Sequence, residues 1–112
     1  MVDEFLPLAP ATLHILLALA GEPLHGYGIM QEVLRQSDGR YKLGPGTLYD
    51  NLQRLVKQAL VEEVEDPAQE SSRRKCYRLS SVGQKVLAAE IGRLEGVIEE
   101  ARRRRVPRRS KA

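Results

Sequence analysis

Five polar side chains in residues 44–61 have the chemistry needed to bind a nucleic acid. They offer hydroxyl, amide and guanidinium groups, which hydrogen-bond to base edges or to phosphate oxygens: Thr47, Tyr49, Asn51, Gln53 and Arg54. A Gly-Pro-Gly sequence at residues 44–46 breaks the chain directly before them. A helix that begins at this break has unpaired backbone N–H groups, to which a phosphate can bind. We therefore predict that Asn51, Gln53 and Arg54 read bases. Thr47 and Tyr49 are predicted to hold phosphates.

An apolar stripe in the same residues predicts that they form a helix. Leu48, Leu52 and Leu55 recur at positions i, i+4 and i+7, which lie on one face of a helix. The polar side chains then take the other face, as in the recognition helix of a helix-turn-helix protein. An ordinary amphipathic surface helix, with its polar residues only solvated, fits this stretch equally well. The neighbouring residues must therefore decide between the two interpretations.

Two β-strands are predicted directly after this helix, and together they form a hairpin. Residues 60–65 and 73–79 read as strands, and residues 66–72 between them are rich in turn formers. A hairpin in this position is typical of the wing of a winged helix. Its returning strand begins with Arg73, Arg74 and Lys75, which we predict to contact DNA phosphates. A solvated edge strand that uses its charges against aggregation is the alternative.

Two further helices are predicted before the central one. Residues 11–20 contain only two polar side chains, Thr12 and His14, so this helix is apolar on nearly every side. One small domain buries one such face, and the remaining face, including Leu13 and Leu17, indicates contact with a second copy of the chain. A second helix is predicted to open at residue 24, and a turn at residues 37–40 follows it. This order predicts a helix-turn-helix.

The last predicted helix has a seam-like apolar row. Leu87, Ile91, Leu94 and Ile98 are spaced by four, three and four residues, while charged residues such as Glu90 take the outside. This helix extends beyond a compact winged domain, so we predict that it packs against its twin in a homodimer. The predicted fold class is mainly α with a small β-hairpin. It comprises a winged helix-turn-helix at residues 1–79, a C-terminal dimerisation helix at 80–105 and a disordered basic tail at 106–112.

The charge balance does not by itself indicate a nucleic-acid partner. The chain of 112 residues has a formal net charge of +3, but seven of its 18 basic residues lie in residues 102–112. The other residues hold 11 basic and 15 acidic side chains, a net charge of −4. The placement of charge must therefore support DNA binding. The basic tail is interpreted as a solvated end that adds at most nonspecific attraction to DNA.

No arrangement of residues predicts an enzyme, a metal site or a bound cofactor. His14, His25 and Cys76 are scattered, and His25 is interpreted as a capping or packing residue at a helix start. The single cysteine excludes an internal disulfide and fits a reducing compartment. The apolar run at residues 13–20 is too short to cross a bilayer, so we expect a cytoplasmic protein with no membrane partner.

Three motifs occur in a fixed order along the chain. They are His25-Gly26-Tyr27-Gly28-Ile29, then Gly46-Thr47-Leu48-Tyr49, then Arg74-Lys75-Cys76-Tyr77-Arg78-Leu79 with Gly83 following. Their order and spacing resemble the PadR family of bacterial transcriptional regulators, over roughly residues 13–98. The single helix after the wing resembles the short-form members.

The resemblance implies both a fold and a function. It implies a winged helix-turn-helix that forms a homodimer through the C-terminal helix and binds a palindromic operator in double-stranded DNA, usually to repress. Recognition would fall on Thr47, Tyr49 and the polar face of their helix, with the wing near residues 73–75 touching the DNA backbone or minor groove. Family members often release DNA when a small aromatic or drug-like effector binds near the dimer interface.

Two positions depart from the family pattern. Ala59 stands where the family usually has glycine, so the turn before the first wing strand is expected to differ or to be strained. Cys76 stands where the family usually has an aromatic residue, which leaves a redox-sensitive thiol and a small packed thiol as alternatives.

A second hypothesis is a protein-interaction module that keeps the winged fold without specific DNA binding. The net charge of −4 outside the tail supports it, as do the acidic residues of the first wing strand, Glu62, Glu63 and Glu65. An enzyme is a third hypothesis, for which no residue pattern gives positive support.

Overall fold

The computed structural model describes residues 2–65 and 75–109 of the chain. A 3-10 turn at Val2–Phe5 comes first. The helices are α1 (Pro10–Ala18), α2 (Gly26–Gln36), α3 (Pro45–Lys57) and α4 (Ser81–Arg103). The strands are β1 (Leu24–His25), β2 (Val61–Glu65) and β3 (Lys75–Leu79). Within these residues no helix is both long enough and apolar enough to cross a membrane.

The apolar stripe predicted for the central helix, now α3, is confirmed. Leu48, Leu52 and Leu55 are each at most 1% exposed, and they pack in one cluster with the buried residues of the other helices. Their burial fixes the rotation of α3, because a helix with one apolar face turns that face to the core. The opposite face of α3 is thereby held in solvent.

The predicted hairpin is confirmed for the residues that the structure describes. β2 and β3 are antiparallel neighbours, with these Cα partners: Val61↔Leu79, Glu62↔Arg78, Glu63↔Tyr77, Val64↔Cys76 and Glu65↔Lys75. With the helix-turn-helix before it, this hairpin gives the winged-helix fold class that the sequence predicts. The tip of the hairpin, with Arg73 and Arg74, lies outside the described residues.

A third strand, which the sequence did not predict, joins the hairpin. β1 pairs antiparallel with β3, so the strand order is β1-β3-β2. Leu24 therefore belongs to a strand, and α2 begins two residues later, at Gly26. His25 caps α2, since its Nδ1 accepts a hydrogen bond from the backbone N–H of Gly28 at 3.3 Å. This geometry confirms the interpretation of His25 as a capping residue.

A left-handed residue ends the turn between α3 and β2. Ala59 has φ of 62°, and its N–H and that of Leu60 donate to the carbonyls of Val56 and Leu55, each at 3.0 Å. These two hydrogen bonds are those of a Schellman motif, which normally places glycine at the left-handed position. Alanine makes the same turn here, at a cost of about 1–2 kcal/mol in backbone conformation. The strain expected at this turn is therefore the cost of the left-handed φ angle of Ala59.

The start of α4 rests directly on that turn. Ser80 is the N-cap: its hydroxyl accepts from the N–H of Gly83 at 2.9 Å and donates to the carbonyl of Ala59 at 2.7 Å. A Cβ added at Gly83 would overlap the carbonyl oxygen of Leu60. The helix and the turn can approach this closely only because residue 83 has no side chain.

The first half of α4 belongs to the same core as the winged helix. Val86 is fully buried and Leu87 is 7% exposed, so Leu87 is already covered within its own chain. The prediction that Leu87 forms part of a dimer contact is therefore corrected. Beyond Glu90 the helix leaves the core and exposes Ile91 and Ile98. The radius of gyration is 15.7 Å, whereas a compact chain of this length has roughly 13 Å. The larger value agrees with a helix that projects from the core.

Glu90 is buried, although the sequence predicted it on the outside of α4. Its side chain is fully covered and accepts hydrogen bonds from Arg93 Nε at 2.6 Å, Arg93 Nη2 at 3.0 Å and the backbone N–H of Leu8 at 3.0 Å. These bonds satisfy a carboxylate that would otherwise be costly to bury. Glu90 thereby ties the N-terminal segment to α4.

Glu90 makes the stability of the fold depend on pH. The hydrogen bonds from Arg93 hold the pKa of Glu90 below its ordinary value of 4.5; burial opposes them, and the Leu8 N–H adds to them. A carboxyl whose pKa is lower in the folded state stabilises the fold above pH 4.5, and loses that effect as the pH falls through the folded pKa. We expect Glu90→Gln to lower the urea midpoint at pH 7, and the difference from wild type to shrink by pH 3. A difference that is equal at both pH values would contradict this role.

Candidate nucleic-acid interface

The solvent face of α3 presents four of the five side chains that the sequence predicts to bind DNA. Thr47, Tyr49, Gln53 and Arg54 are all exposed, and Tyr49 is 47% exposed despite its large ring. They lie together on one surface, because the buried leucines of α3 hold its other side against the core. The cap residue Gly44 makes no side-chain hydrogen bond to the start of α3, and Pro45 occupies its first turn, so the cap position leaves the first backbone N–H groups uncapped.

The ring of Tyr49 lies against α2. A Cβ built on Gly26 would overlap the Tyr49 hydroxyl and the adjacent ring carbon. Gly26 is buried, and it is the first residue of α2. A glycine at this position therefore lets α3 and α2 approach closely, and it places Tyr49 at the junction of the two helices.

Asn51 is not on the binding surface, and the prediction that it reads bases is corrected. Its side chain is 6% exposed. The hydroxyl of Thr12 donates to Asn51 Oδ1 at 2.9 Å, and Asn51 Nδ2 donates to the Thr47 carbonyl at 2.8 Å. Arg54 Nη2 donates to the same Oδ1 at 2.7 Å. Asn51 thus joins α1 to α3 and orients Arg54, while the other N–H groups of the guanidinium can still be offered to a ligand.

This structural role of Asn51 predicts the effect of removing its amide. Asn51→Ala leaves the buried Thr12 hydroxyl without its acceptor, so we expect the free energy of unfolding to fall by about 1–3 kcal/mol. Chemical denaturation followed by circular dichroism measures this change. Unchanged stability together with lost discrimination at one base pair would instead place Asn51 against the DNA.

A groove of about 360 Å³ separates the exposed face of α3 from the wing. Residues of α3, β2 and β3 line it: Tyr49, Asp50, Leu52, Gln53, Glu63, Lys75 and Tyr77. Burial raises the pKa of the Tyr77 hydroxyl, and the neighbouring Glu63 and Tyr49 raise it further. Tyr77 therefore remains a protonated donor at neutral pH, at the base of a groove whose walls carry charges of both signs.

Lys75 is the one member of the predicted basic triplet that the structure describes. Its side chain is 67% exposed, and its Nζ lies 3.5 Å from Glu63 Oε2. Glu63 is not among the residues that the sequence predicts for the binding site. Strand alternation from Lys75 to Tyr77 could have indicated one face of β3. Placing Glu63 there requires the register between the strands, which depends on the length of the hairpin tip.

The residues predicted for the dimer interface differ in exposure. Ile91 and Ile98 are 38% and 51% exposed, and Leu94, Leu13 and Leu17 are partly exposed. Val97 lies beside Ile98 in the sequence and is 55% exposed. The second half of α4 thus has an apolar surface that the rest of its own described chain does not cover.

Comparison with known proteins places this fold in a family. The model of the PadR-like family of transcriptional regulators matches residues 15–89, most of the chain. A transcriptional regulator of Mycobacterium tuberculosis is 33% identical over 92 residues, which cover 82% of each protein. A 37.1 kDa protein of a Streptomyces fradiae transposon is 37% identical over 94 residues. That match covers 81% of this chain, which spans about a quarter of the Streptomyces protein's length.

Solved structures share the fold. A transcriptional regulator of Clostridium thermocellum matches with a TM-score of 0.72 and 24% identity, over 87% of this chain and 90% of that one. Bacillus subtilis PadR in complex with operator DNA matches with a TM-score of 0.66 and 19% identity, over 76% and 48%. Bordetella bronchiseptica BpsR, whose DNA binding is regulated by 6-hydroxynicotinic acid, matches with 0.64 and 17%, over 83% and 64%. On its motifs, its fold and the match over residues 15–89, the chain belongs to the PadR-like family of transcriptional regulators.

Proposed function

We propose that this DNA-binding regulator acts as a homodimeric repressor on a palindromic operator. The observation that supports it best is the solvent face of α3, where exposed polar side chains surround a helix start and adjoin the wing groove. Bacillus subtilis PadR, a protein of this fold, forms a complex with operator DNA, which supports operator binding by this chain. The proposed place of action is the cytoplasm.

The proposed division of roles on α3 follows from position and chemistry. Gln53 offers an amide on the exposed face, and Arg54 offers a guanidinium that Asn51 holds in place; both groups can hydrogen-bond to base edges in a major groove. Thr47 lies in the first turn of α3 and Tyr49 follows that turn, close to the backbone N–H groups that favour a phosphate. Lys75, on the far side of the groove, is proposed to contact the backbone of the flanking DNA.

A homodimer is proposed because of the uncovered apolar residues of α4. The second half of α4 exposes three apolar side chains along two helical turns, those of Ile91, Val97 and Ile98. An exposed apolar surface of this kind favours association with a matching surface. A two-fold dimer presents two copies of α3 in opposite directions, so its operator would be a palindrome. The partly exposed Leu13, Leu17 and Leu94 are proposed to complete this contact.

Release from DNA by a small aromatic or drug-like effector is also proposed. It is supported by the family resemblance and by BpsR, a protein of similar fold whose DNA binding a small aromatic acid regulates. An effector that binds near the dimer contact would change the separation of the two α3 helices. That separation decides whether both helices reach the operator at once.

The alternative of a protein-interaction module has one specific observation in its favour. Two acidic residues of β2 neutralise cations of β3: Glu63 lies 3.5 Å from Lys75, and Glu62 lies 3.0 Å from Arg78. These pairs reduce the positive potential of the wing. A module of this kind would bind operator DNA no more tightly than scrambled DNA of the same length.

Two substitutions test the proposed roles on either side of the groove. Gln53→Ala should reduce the preference for operator over scrambled DNA by about tenfold, because it removes a base contact worth roughly 1–3 kcal/mol. Lys75→Ala should weaken binding to both DNAs by a similar factor, and should reduce the salt dependence of each. Fluorescence anisotropy measures all four affinities. Equal effects of the two substitutions on both DNAs would show that the division of roles is wrong.

A further inference from the structure

We propose that Glu63 is a built-in competitor of DNA phosphate for the wing lysine, so that it limits the affinity of the regulator for DNA. The inference rests on the proposed function, because it assigns the groove between α3 and the wing to DNA. It concerns a residue that acts through Lys75. Glu63 is therefore a positioning residue rather than a direct DNA contact.

The register of the wing places the carboxylate and the lysine on one face of the sheet. Glu63 is the Cα partner of Tyr77, and Lys75 lies two residues from Tyr77 along β3. Side chains two residues apart on a strand share a face. All three residues line the groove opposite α3. The pair therefore stands on the surface where we place the DNA.

The ion pair is close but solvated. Lys75 Nζ and Glu63 Oε2 are 3.5 Å apart, and the two side chains are 67% and 45% exposed. Exposed pairs of this kind are weak, so a phosphate can displace the carboxylate. The lysine then exchanges one anion for another, and its net contribution to DNA affinity is smaller than that of an unpaired lysine.

The groove contains a further negative charge that reinforces this effect. Asp50, on the first half of α3, also lines it and is exposed. Among the described residues that line the groove, the charged side chains are Asp50, Glu63 and Lys75, so the carboxylates outnumber the ammonium group. Glu63 also contributes to the raised pKa of Tyr77, which agrees with its carboxylate facing into the groove.

The same strand supplies a matched control on its other face. Glu62 pairs with Arg78, with Arg78 Nε at 3.0 Å from Glu62 Oε1, and both residues are about half exposed. Because successive side chains of a strand point to opposite faces, this pair lies on the sheet face away from the groove. Glu62→Gln and Glu63→Gln change the net charge equally and each release one cation of β3.

The test measures the affinity of the full chain for scrambled duplex DNA and for DNA from upstream of its own gene, between about 50 and 200 mM salt. Glu63→Gln should tighten binding to both DNAs by roughly three- to tenfold, with two copies acting in a dimer. The slope of log affinity against log salt should steepen by about one for each protomer. Glu62→Gln should change either affinity less than twofold. Thermal melting checks that both variants keep the wild-type fold.

A second background separates the competition from simple repulsion of DNA. In Lys75→Ala protein, Glu63→Gln should have almost no effect, because there is no lysine to release. A gain in affinity that persists in the Lys75→Ala background would overturn the proposal. An unchanged or weakened affinity of the Glu63→Gln single variant would also overturn it, and so would the absence of measurable binding by any variant at the lowest salt. The proposed function fails separately, when wild-type protein does not prefer the upstream DNA. The response of scrambled-DNA binding to Glu63→Gln decides the inference in that case too.

Discussion

Replacing Gly83 with alanine should destabilise the fold by about 3 kcal/mol, the upper part of the usual range for overpacking a tight contact. The added methyl group would overlap the carbonyl oxygen of Leu60. That oxygen cannot turn away as a side chain can, because it accepts the Ser80 backbone N–H at 3.0 Å and belongs to the Schellman turn after α3. Urea denaturation of the purified variant measures the loss.

Another glycine of the same helix provides the control for this experiment. A Cβ added at Gly92 meets nothing within 4 Å in its own chain. Gly92→Ala should therefore stabilise α4 by about 0.5–1 kcal/mol, the ordinary difference between the two residues in a helix. If Gly83→Ala were as stable as Gly92→Ala, then the close approach of α4 to the Leu60 carbonyl would be wrong.

Replacing Ile98 with glutamate should convert the proposed dimer into a monomer and weaken operator binding about a hundredfold or more. Ile98 is 51% exposed in the single chain, so the carboxylate is solvated there and the monomer should stay folded. In a dimer joined by this surface, each carboxylate would be buried among apolar side chains without a partner, which is strongly unfavourable. A monomer binds each half-site separately and loses the effective concentration that links the two. Analytical ultracentrifugation gives the mass, and anisotropy gives the affinity.

Val82→Glu is the matched control for this substitution. Val82 is 42% exposed in the first turn of α4, where a carboxylate interacts favourably with the helix dipole. This variant should keep both the mass and the operator affinity of the wild type. A dimer of Ile98→Glu with the stability of the wild-type dimer would exclude the second half of α4 as the interface.

The sequence predicted the elements whose periodicity is strong and local. The stripe of Leu48, Leu52 and Leu55 gave the rotation of α3, and the alternating wing strands gave the hairpin. The prediction placed Asn51 on the exposed face of α3, although its spacing from the leucines indicated the buried face. It follows Leu48 by three residues and precedes Leu55 by four, which are the spacings of a shared helical face. Its amide chemistry suggested base reading, but its position beside the stripe places it against Thr12 of α1.

The features that could not be predicted depend on contacts between distant parts of the chain. β1 has two residues and no alternation of its own, so only its pairing with β3 defines it. Glu90 is polar and lies next to Ile91 of the apolar row, and its burial follows from the approach of the Leu8 N–H, 82 residues away. The pairing of Glu63 with Lys75 likewise depends on the strand register. Local patterns in a sequence do not specify such distances.

The central claim, that the chain is a sequence-specific regulator, is tested most directly by anisotropy with DNA from upstream of its own gene. Scrambled DNA of the same length is the control, and both titrations run from about 50 to 200 mM salt. The proposed function predicts that the upstream DNA binds about a thousandfold more tightly than the scrambled DNA, and that this ratio persists as salt rises. Weak binding to both DNAs, falling together with salt, would contradict specific recognition by α3 at this DNA and would favour the protein-interaction module.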